Sequence, residues 1–263
     1  MMKRKLIAVL SIFLSLTSFL LPCRAADIGY SWYCRHVKGH LQPTVAPELA
    51  FVTELEGYFI DTTHTDPAAA DRVIYLTFDA GYENGNVARV LDVLKEEGVP
   101  AAFFILGNLI RNHTDLVIRM GEEGHLICNH TVRHRDMSRA DDEALLEELR
   151  ELEGLCKSCT SFEMAKYYRP PEGRFSRKNL ECTAKNGYKT IFWSFAYPDW
   201  DNAAQPDLAR AKEIILENVH NGEVMLLHPT SATNAAILVD VIRTLKAQGY
   251  RFGTLDELTR GQG

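Results

Sequence analysis

Between Arg72 and Leu258 short apolar runs alternate with longer segments whose apolar residues recur every three or four positions, the pattern of buried strands followed by amphipathic helices. Strands are expected at 74–78, 101–106, 125–129, 167–169, 188–193, 224–227 and 250–252. Val87, Val90, Leu91 and Leu94 place a helix over about 86–96, which Gly98-Val99-Pro100 stops. Further helices read as 114–122, 141–157 with Leu145, Leu146, Leu149, Leu152 and Leu155 on one face, a Ser176-capped segment to Asn186, 207–219 and 233–247. Strands alternating with helices imply parallel βαβ units, which suit either an open doubly wound sheet or a closed barrel. Periodicity does not separate the two. Polar residues at the ends of several different strands favour the barrel, because barrel active sites are assembled from such positions.

The N-terminal residues follow another pattern. Lys3-Arg4-Lys5, an apolar run over 6–21 and Pro22-Cys23-Arg24-Ala25-Ala26 read as a secretory signal, residues 1–25, cleaved after Ala25. The run is shorter than the roughly 20 residues that span a bilayer comfortably, and an uncleaved anchor is the alternative. A lipid-anchored Cys23 fits poorly, since Pro22 stands where a small residue is wanted. Export places the protein outside the cytoplasm, on the wall side of the membrane. Residues 26–72 lack long periodicity and read as an extension packed on the barrel and anchored by Trp32 and Tyr33, leaving 73–260 as the main domain.

A net charge of −6, with no basic block beyond the extreme N-terminus, argues against nucleic acid as a partner. No stable protein partner is expected, and the chain reads as a monomer. Cleavage at Ala25 leaves Cys34, Cys128, Cys156, Cys159 and Cys182, an odd number. Cys156-x-x-Cys159 suits a zinc half-site, a redox pair or a local disulfide, but no second pair stands at zinc-finger spacing, so a disulfide or buried thiols are preferred.

Five short segments carry chemistry. The strand Ile74-Tyr75-Leu76-Thr77-Phe78 delivers Asp79 to its C-terminal tip, though an Asp there also serves as a plain cap or turn former. His130 and His134 stand four apart, so on a helical turn they project the same way and suit one divalent ion, with Asn129 or a carboxylate fixing their tautomers. Arg169, stiffened by Pro170 and Pro171, is aimed back over the barrel mouth, where it can pair with Asp79. Asp199-Trp200 follows the fifth strand and His228 ends the sixth; a lone His at a strand end is more often structural.

In this order, Thr77-Phe78-Asp79-Ala80-Gly81, His130-Thr131-Val132-Arg133-His134, Arg169-Pro170-Pro171-Glu172-Gly173, Asp199-Trp200 and Leu226-Leu227-His228 resemble the motifs of the polysaccharide deacetylases of the NodB-homology, carbohydrate esterase 4 type. The likeness runs from about Val73 to Leu258. Tyr82-Glu83-Asn84-Gly85, Phe192-Trp193-Ser194-Phe195-Ala196-Tyr197 and Gly29-Tyr30-Ser31-Trp32 narrow it to the branch that deacetylates N-acetylmuramic acid on the way to muramic δ-lactam in spore cortex peptidoglycan.

The resemblance implies a distorted (β/α)7 barrel, peptidoglycan glycan strands as the partner, and a divalent metal ion, zinc with manganese or cobalt as alternatives. It further implies Asp79 as general base, His130 and His134 as metal ligands, His228 as the acid that protonates the leaving amine, Arg169 as orienting the base and Asp199 as tuning the acid. The backbone N–H of Tyr82 is a candidate oxyanion donor. Two positions depart. Most of the superfamily has a ligating Asp where this chain has Ala80, and the δ-lactam branch typically has Asn; an Ala leaves the ion two protein imidazoles and more water, hence weaker binding. Glu172 replaces a position that is often basic. Other readings are a deacetylase of N-acetylglucosamine polymers or acetylated xylan, or a wall-binding protein that has lost catalysis. Retention of both an acid and a base speaks against the last.

Overall fold

The structure, a computed structural model, describes residues 28–260. The expected signal at 1–25 lies outside the described residues. The N-terminal stretch forms β1 (Gly29–Ser31), a 3-10 helix (Pro47–Leu55) and β2 (Gly57–Tyr58). The regular alternation follows: β3 (Arg72–Ala80), α1 (Asn86–Glu97), β4 (Ala102–Ile105), α2 (Gly107–Asn112), α3 (Thr114–Glu122), β5 (Leu126–Asn129) and α4 (Asp142–Thr160). The second half runs β6 (Tyr167–Tyr168), β7 (Arg174–Ser176), α5 (Arg177–Lys185), β8 (Lys189–Ile191), α6 (Leu208–Asn218), β9 (Glu223–Leu227), α7 (Ala232–Ala247), β10 (Tyr250–Phe252) and α8 (Leu255–Arg260). Among the described residues no helix is long and apolar enough to cross a membrane.

The main sheet runs β10-β3-β4-β5-β6-β8-β2, with β9 also beside β3, and its pairings are parallel. Just past β8, Ser194 N donates to Val224 O (3.0 Å) and Leu226 N donates to Phe195 O (2.9 Å), so the sheet curls back onto β9. The result is a distorted (β/α)7 barrel, and it decides the choice that periodicity left open.

Side chains alternate across a strand, so each strand has an inward set and an outward set. Outward residues of β3, Ile74, Leu76, Phe78 and Ala80, pack with Val87, Val90, Leu91 and Leu94 of α1 and with Leu238 and Ile242 of α7. Inward residues Val73 and Tyr75 meet Ala102, Phe104, Cys128, Tyr167, Ile191 and Val224, which fill the barrel, with Leu255 and Leu258 of α8 in the same cluster. Counting on by twos toward the C-terminal tips carries this inward register to Asp79, Leu106, His130, Arg169, Trp193 and His228. The hydrophobic code that fills the interior therefore also sets which side chains stand at its mouth.

The residues before Arg72 are more than a cover. Gly57 and Tyr58 of β2 extend the sheet in parallel with Thr190 and Ile191, and β1 pairs antiparallel with β7. Trp32 is buried, stacks on Phe192 (4.4 Å between centroids, 23° apart) and donates Nε1 to Trp193 O at 2.9 Å. Tyr33 does not anchor; it is 46% exposed, and Tyr30, packed on Phe51 and Phe175, takes that part instead. Gly173 is fixed here by its backbone, with φ +64° and a hypothetical Cβ only 2.8 Å from the Trp193 ring. Helix α2 has no clear mark in the sequence, since Gly107 and Asn108 look like loop residues; it buries Gly107, Leu109 and Ile110 and packs against α4. The cysteines of the described residues are free thiols; Cys156 and Cys159 lie one turn apart on α4, the first buried and the second exposed.

Trp32→Ala should cost about 3–5 kcal/mol in urea unfolding, because it removes a buried ring and leaves Phe192 facing a cavity. A loss under about 1 kcal/mol would mean that the extension is held without it.

Candidate active site

Arg169 is the most buried charge at the barrel mouth, at 0% exposure. Its guanidinium donates Nε to Ile191 O (3.0 Å), Nη1 to Asp79 Oδ1 (2.8 Å), and Nη2 to Thr77 Oγ1 (2.9 Å) and Phe192 O (3.1 Å). Its plane lies over the Phe104 ring, 4.1 Å from the centroid. Burial works to raise the pKa of Asp79, but the Arg169 charge, aided by the neighbouring imidazoles and the Arg169 hydrogen bond, holds it below the usual carboxylate range. Asp79 is thus an anion with one oxygen committed and the other, Oδ2, turned toward His130.

His130 is buried, and burial lowers its pKa to about 4, only partly offset by the Asp79 charge, so the ring is neutral near pH 7. Its Nδ1 faces Arg169 O at 2.8 Å and must carry the proton, since a carbonyl only accepts. The tautomer is therefore set by a backbone carbonyl; Asn129 instead accepts from Thr131 N (2.9 Å) and donates to Leu149 O (2.9 Å). Nε2 is left as a bare lone pair 3.5 Å from Asp79 Oδ2. Two acceptors facing each other in a buried site call for a cation between or beside them, and the His134 ring stands 5.0 Å from that of His130.

These residues fit a divalent ion held by His130 and His134. Among the described residues no group of three or more His, Cys, Asp or Glu is arranged to hold a metal. Ala80, wholly buried at the third position, offers no ligand atom.

The two histidines do not sit on a helical turn, as their spacing had suggested. Residues 130–134 form a loop in which Thr131 (φ 68°) and His134 (φ 57°) are both left-handed, at a cost of about 1–2 kcal/mol each. That twist, rather than a 3.6-residue period, is what brings the rings together.

Opposite them, His228 Nδ1 lies 2.7 Å from Asp199 Oδ1, and His228 N donates to Asp199 Oδ2 at 2.8 Å. Burial would lower the pKa of His228; the hydrogen bond to Asp199, its charge and that of Asp79 together raise it above the ordinary value. With Nδ1–H tied to Asp199, the other ring nitrogen is the one free for chemistry. Asn234 of α7 donates Nδ2 to Asp199 Oδ2, a contact that nothing in the sequence signalled, because Asn234 reads as one polar residue near a helix start.

Asp79, His130, His134 and His228 line one cavity of about 740 Å³, and Arg169 and Asp199 support it from behind. Its rim carries two exposed aromatic residues, Tyr82 (42%) and Trp200 (60%). Glu172 also faces it, left-handed at φ 55° and paired with Arg174 at 3.1 Å. The arrangement unites an anion, a pair of imidazoles suited to a cation, and a chargeable imidazole in one cup.

A model of the polysaccharide deacetylase family matches residues 66–191. An uncharacterized protein of Geobacillus stearothermophilus is 42% identical over 193 residues, spanning 73% of this chain and 72% of that one. The peptidoglycan-N-acetylmuramic acid deacetylase PdaA of Bacillus subtilis is 34% identical over 229 residues, 87% of this chain and 85% of its own. The solved structure of PdaA, a family 4 carbohydrate esterase, matches with a TM-score of 0.83 over 89% of this chain and 98% of that one. A family 4 carbohydrate esterase from Bacillus anthracis, 35% identical, matches with a TM-score of 0.72 over 89% of this chain and 97% of its own.

Arg169→Met strands a buried carboxylate and is expected to cost about 3–5 kcal/mol. Adding Asp79→Asn should return at least half of that loss in a double-mutant cycle followed by urea unfolding. Strictly additive losses would show that the two side chains do not act as a pair.

Proposed function

The chain belongs to the polysaccharide deacetylase family, hydrolases that remove acetyl groups from N-acetyl sugars, and we propose that it deacetylates N-acetylmuramic acid residues of peptidoglycan during sporulation. One observation carries the reading: an anionic Asp79 and a chargeable His228, delivered by different strands, face each other across a cavity that also holds two imidazoles. Support for the muramic substrate comes from the extent of the match to PdaA, which covers the N-terminal stretch as well as the barrel. The apolar run at 6–21 supports export to the wall side of the membrane.

In this reading His130 and His134 hold a divalent ion, zinc or alternatively manganese or cobalt. When bound, it supplies Lewis acidity toward the acetyl carbonyl and acidifies water. The protein's own groups do the rest. Asp79 accepts the proton of the attacking water at Oδ2, while Arg169 holds Oδ1 and keeps the carboxylate ionised. As the water oxygen bonds to the acetyl carbon, the backbone N–H of Tyr82, a residue that lines the cavity, donates to the developing oxyanion. The carbon–nitrogen bond then breaks, and the free ring nitrogen of His228 delivers a proton to the departing amine. Acetate and a glucosamine-type free amine result. Asp199 keeps His228 in the tautomer and charge state this step needs, and Asn234 holds Asp199. Tyr82 and Trp200 are placed to bracket a sugar ring by its apolar faces.

Purified enzyme given zinc is expected to release acetate from glycan strands whose peptides have been removed, and a chelator should stop it. Release only from N-acetylglucosamine oligomers would overturn the muramic assignment, and no release from any glycan with zinc, manganese or cobalt would overturn the activity. Asp79→Asn and His228→Ala should each lower kcat by about 100-fold or more. The pH profile has a defined sign. Asp79, with its lowered pKa, is already ionised in mildly acid solution, whereas His228 loses its proton, and activity with it, as pH rises through its raised pKa. Asp199→Asn removes the bond and charge that raise it, so the alkaline limb should move to lower pH; an unmoved limb would exclude His228 as the acid.

A further inference from the structure

The loop that carries His134 is held by a carboxylate that the reaction does not use. Helix α4 buries Leu145, Leu149 and Leu152, and on that same stripe it buries Glu148, 4% exposed. Its Oε2 accepts from the backbone of two successive loop residues, Val132 N (3.1 Å) and Arg133 N (3.0 Å). Its Oε1 accepts from Arg133 Nη1 at 2.9 Å, and Arg135 Nη1 stands 3.9 Å away. A buried carboxylate is costly unless its lone pairs are filled, and here most of them are filled by one five-residue loop.

The loop needs such a hold. Thr131 and His134 are both left-handed without being glycine, and Val132 and Arg133 sit between them. The other restraints are Asn129 Oδ1 accepting from Thr131 N (2.9 Å), Thr131 Oγ1 accepting from His134 N (3.0 Å), and the Val132 carbonyl accepting from Gly107 N of α2 (3.2 Å). Among the described residues it is Glu148 that accepts from both central N–H groups, and so fixes them to α4. A pair of N–H groups aimed at one carboxylate oxygen fixes the peptide planes on either side of Val132, and with them the direction in which His134 leaves the backbone.

We propose that Glu148 is a positioning residue for the ion-binding pair: it keeps the 131–134 backbone in its strained shape so that the His134 ring meets that of His130. Arg133 completes the clamp by neutralising the carboxylate, which frees Glu148 from any need of solvent. The inference rests on the reading of His130 and His134 as ligands. It gains weight from Ala80, since a site limited to two protein imidazoles has no further side chain to correct a misplaced one.

The test is zinc binding to the purified full chain by calorimetry, with amide exchange of Val132 and Arg133 followed alongside. Glu148→Ala should weaken zinc binding about 10- to 100-fold. It should also speed exchange at both amides and lower kcat with KM changed less than about twofold. Glu148→Gln keeps the volume and one acceptor oxygen, and it should recover a large part of the lost affinity even if the alanine variant folds poorly. Glu151→Ala, which removes the half-buried second partner of Arg133 (Nη2 to Oε2, 2.6 Å) and its contact with Arg111 (3.5 Å) but no bond to the loop backbone, should bind zinc as the parent does. Parent-like zinc affinity in Glu148→Ala, or an equal loss in Glu151→Ala, overturns the proposal alone. A parent that binds no zinc overturns the ligand reading and the proposal with it.

Discussion

The structure depends on one buried guanidinium. Arg169 lies inside a parallel barrel where no water reaches it, and its four hydrogen bonds are shared between two other strands: Asp79 and Thr77 on β3, and the carbonyls of Ile191 and Phe192 at the tip of β8. Its own carbonyl holds the His130 ring from behind. A charge buried this deeply is tolerable only because an anion and several carbonyls surround it. The same bonds that make the burial tolerable orient the carboxylate, set the imidazole tautomer and join opposite walls of the barrel. Stability and chemistry are therefore coupled at a single residue.

The two sides of the cup are built on opposite electrostatic plans. Around Asp79 and His130, burial and the Arg169 charge favour an ionised carboxylate beside a neutral ring. Around His228, the paired anion Asp199 outweighs burial and favours a charged ring. Two imidazoles within one cavity thus diverge because burial dominates at His130, whereas the hydrogen bond and charge of Asp199 outweigh it at His228. Environment, not residue type, sets the difference.

The 131–134 segment obeys neither the strand nor the helix period. It is a strained connector whose shape is imposed by Asn129 below it and Glu148 beside it. In most of the barrel mouth, position follows from register; here it follows from hydrogen bonds made by side chains of another element.

Much of this was legible in the chain itself. The alternation of strand and helix, the core residues and the side chains at the strand tips follow from local apolar periodicity, because period two fixes which residues point inward and where that inward row ends. Asp79, Arg169 and His228 could be named from their places at strand ends, and His130 and His134 from their spacing. The strand contributed by Gly57 and Tyr58, the left-handed loop at 131–134 and the contacts of Glu148 and Asn234 could not. They depend on contacts between residues far apart in sequence, whose partners carry no local mark. A polar residue on a helix reads the same whether it faces water or clamps a loop, and only the packed tertiary structure decides which.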